Sequence, residues 1–134
     1  MKIDAARPDE IFLAKSGFGG SEYLLPALIT QGQRRGLSLN RIAELTAANP
    51  AQRFGLRTKG DIAPGFDADI ALVETGISDV IHANDSKSRQ GYTPFEGIEL
   101  NARVVSTLLR GEVIYQDGDI VGPPRGKYLA RPYG

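Results

Sequence analysis

The chain has 134 residues, about one domain and enough to bury a core, and its 16 basic and 16 acidic side chains cancel. That balance leaves no net field to draw it to nucleic acid or to an anionic membrane. With no cysteine there is neither a disulfide framework nor a thiolate site, and the compartment expected is the reducing cytoplasm.

Taken from the N-terminus, MKIDAARPDE lacks the apolar core of a signal peptide, and no later run approaches the roughly 20 apolar residues of a membrane span. The first predicted helix lies in SEYLLPALITQGQRRG, where Tyr23, Leu24, Ala27, Leu28 and Thr30 or Gln31 recur at helical spacing. Ser21 is placed as its N-cap, Glu22 suits the first turn, and Arg34 and Arg35 suit the last turn before Gly36. Pro26 predicts an irregular start or a kink. The second helix, in SLNRIAELTAAN, has Ser38 as its cap and Leu39, Ile42, Ala43 and Thr46 or Ala47 as its apolar stripe. Asn49–Pro50 then predicts an interruption and a restart. Asn49 would be the new N-cap, Pro50 the first helical position, Gln52 the capping-box partner and Gly55 the stop.

Near residue 57 the punctuation changes from helical to strand-like. IALV (70–73) is a short apolar run between turn residues. Val104–Leu109 leads through Arg110–Gly111 into Val113–Tyr115, and Asp117–Gly118 predicts a tight hairpin into Ile120–Val121. Gly122–Pro123–Pro124 ends the sheet, and RGKYLARPYG reads as an extended basic-aromatic strap. Residues 76–98 carry few regular signals, which in a compact domain points to packing against something else. Helices without strands followed by strands without helices make an α+β arrangement that is expected to be part of something larger.

The chemistry-bearing residues are few. His82 is the single histidine, whereas most zinc hydrolytic sites draw on two or three imidazoles. Neither a Ser/His/Asp spacing nor a GxSxG elbow is present. Asp67 and Asp69 stand two apart in KGDIAPGFDADIALVE and could be ligands, an acid–base pair or turn-formers. Without histidine partners they are expected to bind backbone N–H groups at the start of the strand. Glu96, in YTPFEG, is expected to satisfy polar groups of a loop anchored by Tyr92, Pro94 and Phe95.

Six strings in order, SGFGGSEYLLPALIT, NPAQRFGL, KGDIAPGFDADIALVE, YTPFEG, LRGEVIYQDGDIV and GKYLARP, resemble the C-terminal third of the cyclic amidohydrolases. This is the dihydroorotase, allantoinase and hydantoinase group of the amidohydrolase superfamily. SGFGG with the following E-LP-L-T pattern and YTPFEG resembles dihydroorotase most. The resemblance implies an α+β fragment: terminal helices of a TIM-type (α/β)8 barrel over residues 1–57, then strands of a small β-sandwich over 58–134. The activity it implies is metal-dependent hydrolysis of a cyclic amide C–N bond, with zinc in the complete enzyme. The family's ligands are a His-x-His pair, a carbamylated lysine, two further histidines and an aspartate, and all precede the matched region. No metal ligand and no catalytic residue therefore carries over, and this chain alone is expected to bind no zinc and to be inactive.

What the resemblance does carry over is the SGFGG loop, which in such enzymes closes over the substrate ring and offers backbone groups to its amide. Ser16 and Gly17 are the substrate-binding candidates, although the family pattern often has proline where this chain has Ser16 and Gly19. The partners implied are a small cyclic amide and the remainder of the barrel, with self-association as the other outcome. Two readings stay beside this one: a non-catalytic module completing a partner that bears the barrel, and an unrelated small α+β binding protein.

Overall fold

A computed structural model describes residues 17–130. Within them, helices come first: α1 spans Leu24–Arg34, α2 spans Leu39–Ala43 and α3 spans Asn49–Arg53. An antiparallel meander follows, with β1 at Ile70–Val80, β2 at Glu99–Leu109, β3 at Glu112–Gln116 and β4 at Asp119–Ile120. The sheet order β1-β2-β3-β4 is the chain order. The expected change from helix to strand falls between Arg53 and Ile70.

The irregular start expected of Pro26 takes the form of a 3-10 turn, Ser21–Tyr23, in front of α1. Ser21 is inside that turn and is not the N-cap, which corrects the sequence expectation; the turn closes from the Tyr23 N–H to the Gly20 carbonyl at 3.0 Å. Pro26 occupies the third position of α1, where a helix has no intrahelical use for an N–H, so the proline breaks no bond. At the other end Leu37 N–H reaches the Gly32 carbonyl (2.9 Å) and Gly36 N–H reaches Gln33 (3.0 Å), a Schellman closure on the predicted glycine.

Ser38 caps α2 as expected, its Oγ accepting from the Arg41 N–H at 3.1 Å. The interruption at Asn49–Pro50 does not occur. Asn49 has helical torsions (φ −64°, ψ −44°) and is therefore not an N-cap. The helix instead runs on through a π turn, Glu44–Ala48, closed from the Asn49 N–H to the Glu44 carbonyl. Such a turn accommodates a residue that cannot donate, because the ladder changes step just where the Pro50 N–H is missing. The Thr46 hydroxyl donates to the Ile42 carbonyl at 2.8 Å, occupying an oxygen at that change of step.

The strands outrun the apolar runs that betrayed them. β1 extends to Val80, so the first part of the stretch expected to be irregular is strand. Its pairing with β2 continues through Thr75↔Ala102, Asp79↔Leu100 and Val80↔Glu99, with an irregularity between Thr75 and Asp79. That break destroys the period-2 pattern by which a strand is read. Both hairpins are as predicted. Arg110 and Asp117 take φ of 50° and 47°, and a positive-φ glycine follows each, giving the I′ geometry that suits strand twist.

Ile29 of α1, Ile42 of α2 and Ala102 of β2 form the buried cluster, with Leu25, Leu28, Leu37 and Val73 packed around it. Helices and sheet thus share one core. Of the predicted stripe on the second helix only Ile42 is buried, and Leu39 remains half exposed. No helix among the described residues is long and apolar enough to cross a membrane.

Candidate functional site

The glycine loop is the feature to which the family resemblance assigned substrate contact. Ser16 lies outside the described residues. Gly17 is exposed, with φ +79°, a conformation that L side chains rarely adopt, and no described residue beyond its chain neighbours lies within 4 Å of where a Cβ would point. Its carbonyl accepts a hydrogen bond from the Tyr92 hydroxyl. Two residues on, the Gly19 carbonyl accepts from Thr93 Oγ1 at 2.8 Å, and Thr93 is buried. Thr93 Oγ1 in turn accepts from the Phe95 N–H at 3.3 Å.

Shape reinforces these bonds. A Cβ on Gly19 would stand 2.6 Å from Ser88 Oγ, and one on Gly20 would stand 3.1 Å from the Phe95 ring. Residues 88–95 are therefore moulded on bare main chain. Gly19 and Gly20 serve here by letting a second segment approach the backbone.

Further bonds tie the same two segments. Glu22 accepts from the Ser86 hydroxyl and, at 3.2 Å, from the Lys87 N–H. The Tyr23 and Phe95 rings meet at 5.8 Å between centroids, tilted by 53°. Glu96 satisfies polar groups as expected, but those of residues 82–83 rather than of its own loop, accepting from the Ala83 N–H at 2.6 Å and lying 3.3 Å from His82 Nδ1. The Ala83 N–H, followed by His82, holds the Glu96 carboxyl below the usual carboxylate range.

Asp67 and Asp69 form a separate centre whose key partner the sequence reading missed. Lys59 Nζ lies 2.9 Å from Asp67 Oδ2 and also binds Asp69 Oδ2. Asp67 accepts from the Thr58 hydroxyl at 3.0 Å, and Asp69 accepts from the Arg110 N–H at 2.8 Å. The expected backbone N–H contact is therefore real for Asp69, whereas Asp67 uses side chains. Hydrogen bonds donated to Asp69 and then to Asp67 raise the Lys59 pKa. Lys59, then Thr58, lowers that of Asp67. Burial pushes Asp69 upward, but Lys59 and the Arg110 N–H outweigh it and leave the carboxyl below its ordinary value. With the ammonium already shared, the cluster is a clasp joining the segment after α3, the start of β1 and the β2–β3 turn.

Among the described residues no three His, Asp or Glu side chains converge as a metal-binding group. The described residues by themselves therefore do not fit a zinc centre. A shallow, mostly apolar groove lined by Leu28, Leu37, Phe95 and Leu100 runs beside α1, with Gln31 and Arg35 as its polar side chains. The pairings missed by sequence reasoning, Ser86 with Glu22, Tyr92 with Gly17 and Thr93 with Gly19, span 64 to 75 residues. No local pattern signals a pairing over that distance.

Residues 23–115 match the profile described as the amidohydrolase family. The chain is 39% identical over 127 residues to an allantoinase of Rubrobacter xylanophilus, covering 94% of this chain and 28% of that protein. It is 42% identical over 123 residues to a dihydroorotase of Halobacterium salinarum, covering 92% of this chain and 29% of that one. Among solved structures, the L-hydantoinase of Arthrobacter aurescens superposes with a TM-score of 0.76 at 33% identity, over 81% of this chain and 25% of that one. A D-hydantoinase gives 0.75 at 38% identity, over 80% and 24%.

The chain therefore belongs to the amidohydrolase family, among relatives that are cyclic amidohydrolases. It spans less than a third of the length of the relatives it matches. Allantoinase, dihydroorotase and hydantoinase are all represented at similar identity, so this stretch does not single out one of them.

Proposed function

We propose that this chain is the C-terminal portion of a metal-dependent hydrolase of cyclic amides, contributing the substrate loop at residues 16–20 rather than the metal site. In this reading residues 1–57 complete the barrel and 58–134 supply strands of the small sandwich domain. The observation that carries it is the glycine loop itself. Gly17 has its carbonyl held by Tyr92 and no described residue beyond its chain neighbours within 4 Å of where a Cβ would stand, in a chain whose relatives are cyclic amidohydrolases.

The chemistry available here is that of a main chain. A peptide N–H and C=O pair fixed in direction can meet the complementary C=O and N–H of a ring amide, and such backbone groups fix orientation without adding charge. Zinc in the complete enzyme would be held by residues outside the described set. The loop's part is limited to binding and orienting the ring.

The test is Gly17→Ala in the full-length enzyme, assayed with dihydroorotate, hydantoin and allantoin. The strained left-handed residue should raise KM for whichever ring is the substrate, with zinc content unchanged. An unchanged KM for the substrate that is turned over would sink the loop assignment. The 134-residue chain by itself should hydrolyse none of the three with added zinc, and measurable metal-dependent turnover would refute the placement of the metal site.

A further inference from the structure

We infer that Tyr92 and Thr93 are positioning residues for substrate, acting through the glycine loop they hold; this rests on the substrate-loop reading above. Neither side chain needs to touch the ring. Tyr92 fixes the carbonyl of Gly17 and Thr93 that of Gly19, so hydroxyl groups restrain two peptide units on either side of Phe18. A loop of this composition is otherwise the easiest part of a chain to disorder, because glycine loses the most conformational freedom on being fixed.

The arrangement favours positioning over simple packing for three reasons. First, both bonds end on main-chain carbonyls, the groups whose direction sets where the adjoining N–H points. Second, Thr93 is itself locked: it is 3% exposed, and its Oγ1 is also the acceptor for the Phe95 N–H, so it holds the loop from a rigid support. Third, Ser88 and Phe95 occupy the sides on which Gly19 and Gly20 lack a Cβ, which blocks the loop from collapsing toward residues 88–95. Rigid support for groups that bind a ligand is what keeps their geometry productive.

The experiment compares Tyr92→Phe, Thr93→Val and Thr93→Ser in the full-length enzyme, with Gly17→Ala alongside. One hydrogen bond's net worth predicts a KM rise of about 2- to 10-fold for Tyr92→Phe and Thr93→Val. The kcat and zinc content should stay near wild type, and amide exchange at residues 18–20 should quicken. Thr93→Ser, which keeps the hydroxyl, should restore KM. Unchanged KM in both Tyr92→Phe and Thr93→Val overturns the assignment. So does a raised KM in Thr93→Val that serine does not restore, since side-chain shape would then be responsible. If Gly17→Ala raises KM while Tyr92→Phe and Thr93→Val do not, positioning fails and the loop reading survives. If Gly17→Ala has no effect either, both fail.

Discussion

The N–H of Asn101, on β2, donates to the hydroxyl of Thr30, on α1, at 3.0 Å across 71 residues of sequence. The same hydroxyl donates to the Pro26 carbonyl at 2.8 Å, and Thr30 has no exposed surface. One buried oxygen thus joins a helix to the central part of the sheet. Thr30→Val keeps the shape but strips the acceptor from the Asn101 N–H, so we expect a loss of about 1–3 kcal/mol. Thr30→Ser should recover most of it. Urea denaturation of the three proteins measures this, and equal midpoints for valine and threonine would contradict it.

The clasp of Lys59 with Asp67 and Asp69 makes stability depend on pH from two sides. The aspartates have lowered folded pKa values, so their contribution is present above the unfolded value of about 3.9 and is lost as pH falls through the folded ones. Lys59 has a raised folded pKa, so its contribution is full below the unfolded value of about 10.4 and is lost as pH rises through the folded one. A plateau between these limits is expected, falling at both ends. Asp69→Asn should shrink both falls, and thermal midpoints across the range will show whether it does. Asp69→Ala should also lower stability by about 1 kcal/mol, by removing the acceptor of the Arg110 N–H. Under the proposed function it should leave metal content and chemistry of the full-length protein intact; a folded variant that loses metal would contradict the structural role.

Gly60 and Gly118 separate two costs of adding a methyl group. Both have positive φ, +88° and +98°. A Cβ at Gly118 meets nothing within 4 Å, so Gly118→Ala should cost only the left-handed strain, about 1–2 kcal/mol. At Gly60 it would lie 2.6 Å from Ala51 Cβ and 2.8 Å from the Ala47 carbonyl. Overpacking then adds roughly 1–3 kcal/mol. Similar losses at the two sites would mean that the helix is not pressed against Gly60.

Among the described residues β1 is an edge of the sheet, eleven residues long, and it exposes Leu72 and Val80 to 51% and 44%. Unpaired strand edges recruit other strands, and exposed apolar side chains add to the tendency. The isolated chain is therefore expected to self-associate as its concentration rises. Sedimentation velocity showing a compact monomer throughout would argue against that.

The sequence made the local features visible and hid the long-range ones. Ser38, Gly36, Gly55 and the two hairpins act within a few residues of themselves, so their chemistry is readable in place. Ser21 and Asn49 carry cap chemistry too, but both sit inside a helical turn, where side-chain preference yields to the ladder around it. β1 beyond Val73 is defined by its partner rather than by its own pattern. In the candidate site the same divide holds. Asp69 was legible as a backbone acceptor, whereas Lys59 and Thr58, eight to eleven residues upstream, could be paired with the aspartates only once the turn between them was known. The hold of Thr93 on Gly19 needed the fold itself.

The π turn at Glu44–Ala48 carries a last implication, for how this chain tolerates changes in length. At about 100° per residue, Ala51 in a regular helix would stand on the opposite side of the axis from Ile42, nine residues earlier. One surplus residue taken up in the turn swings Ala51 back by about that same angle. It then faces Gly60, next to Lys59, while Ile42 stays in the core. The turn behaves as a phase corrector between two contacts that a single helical period could not satisfy together. Removing one residue from 44–48 would leave the helix more regular and throw α3 out of phase with the clasp that follows it.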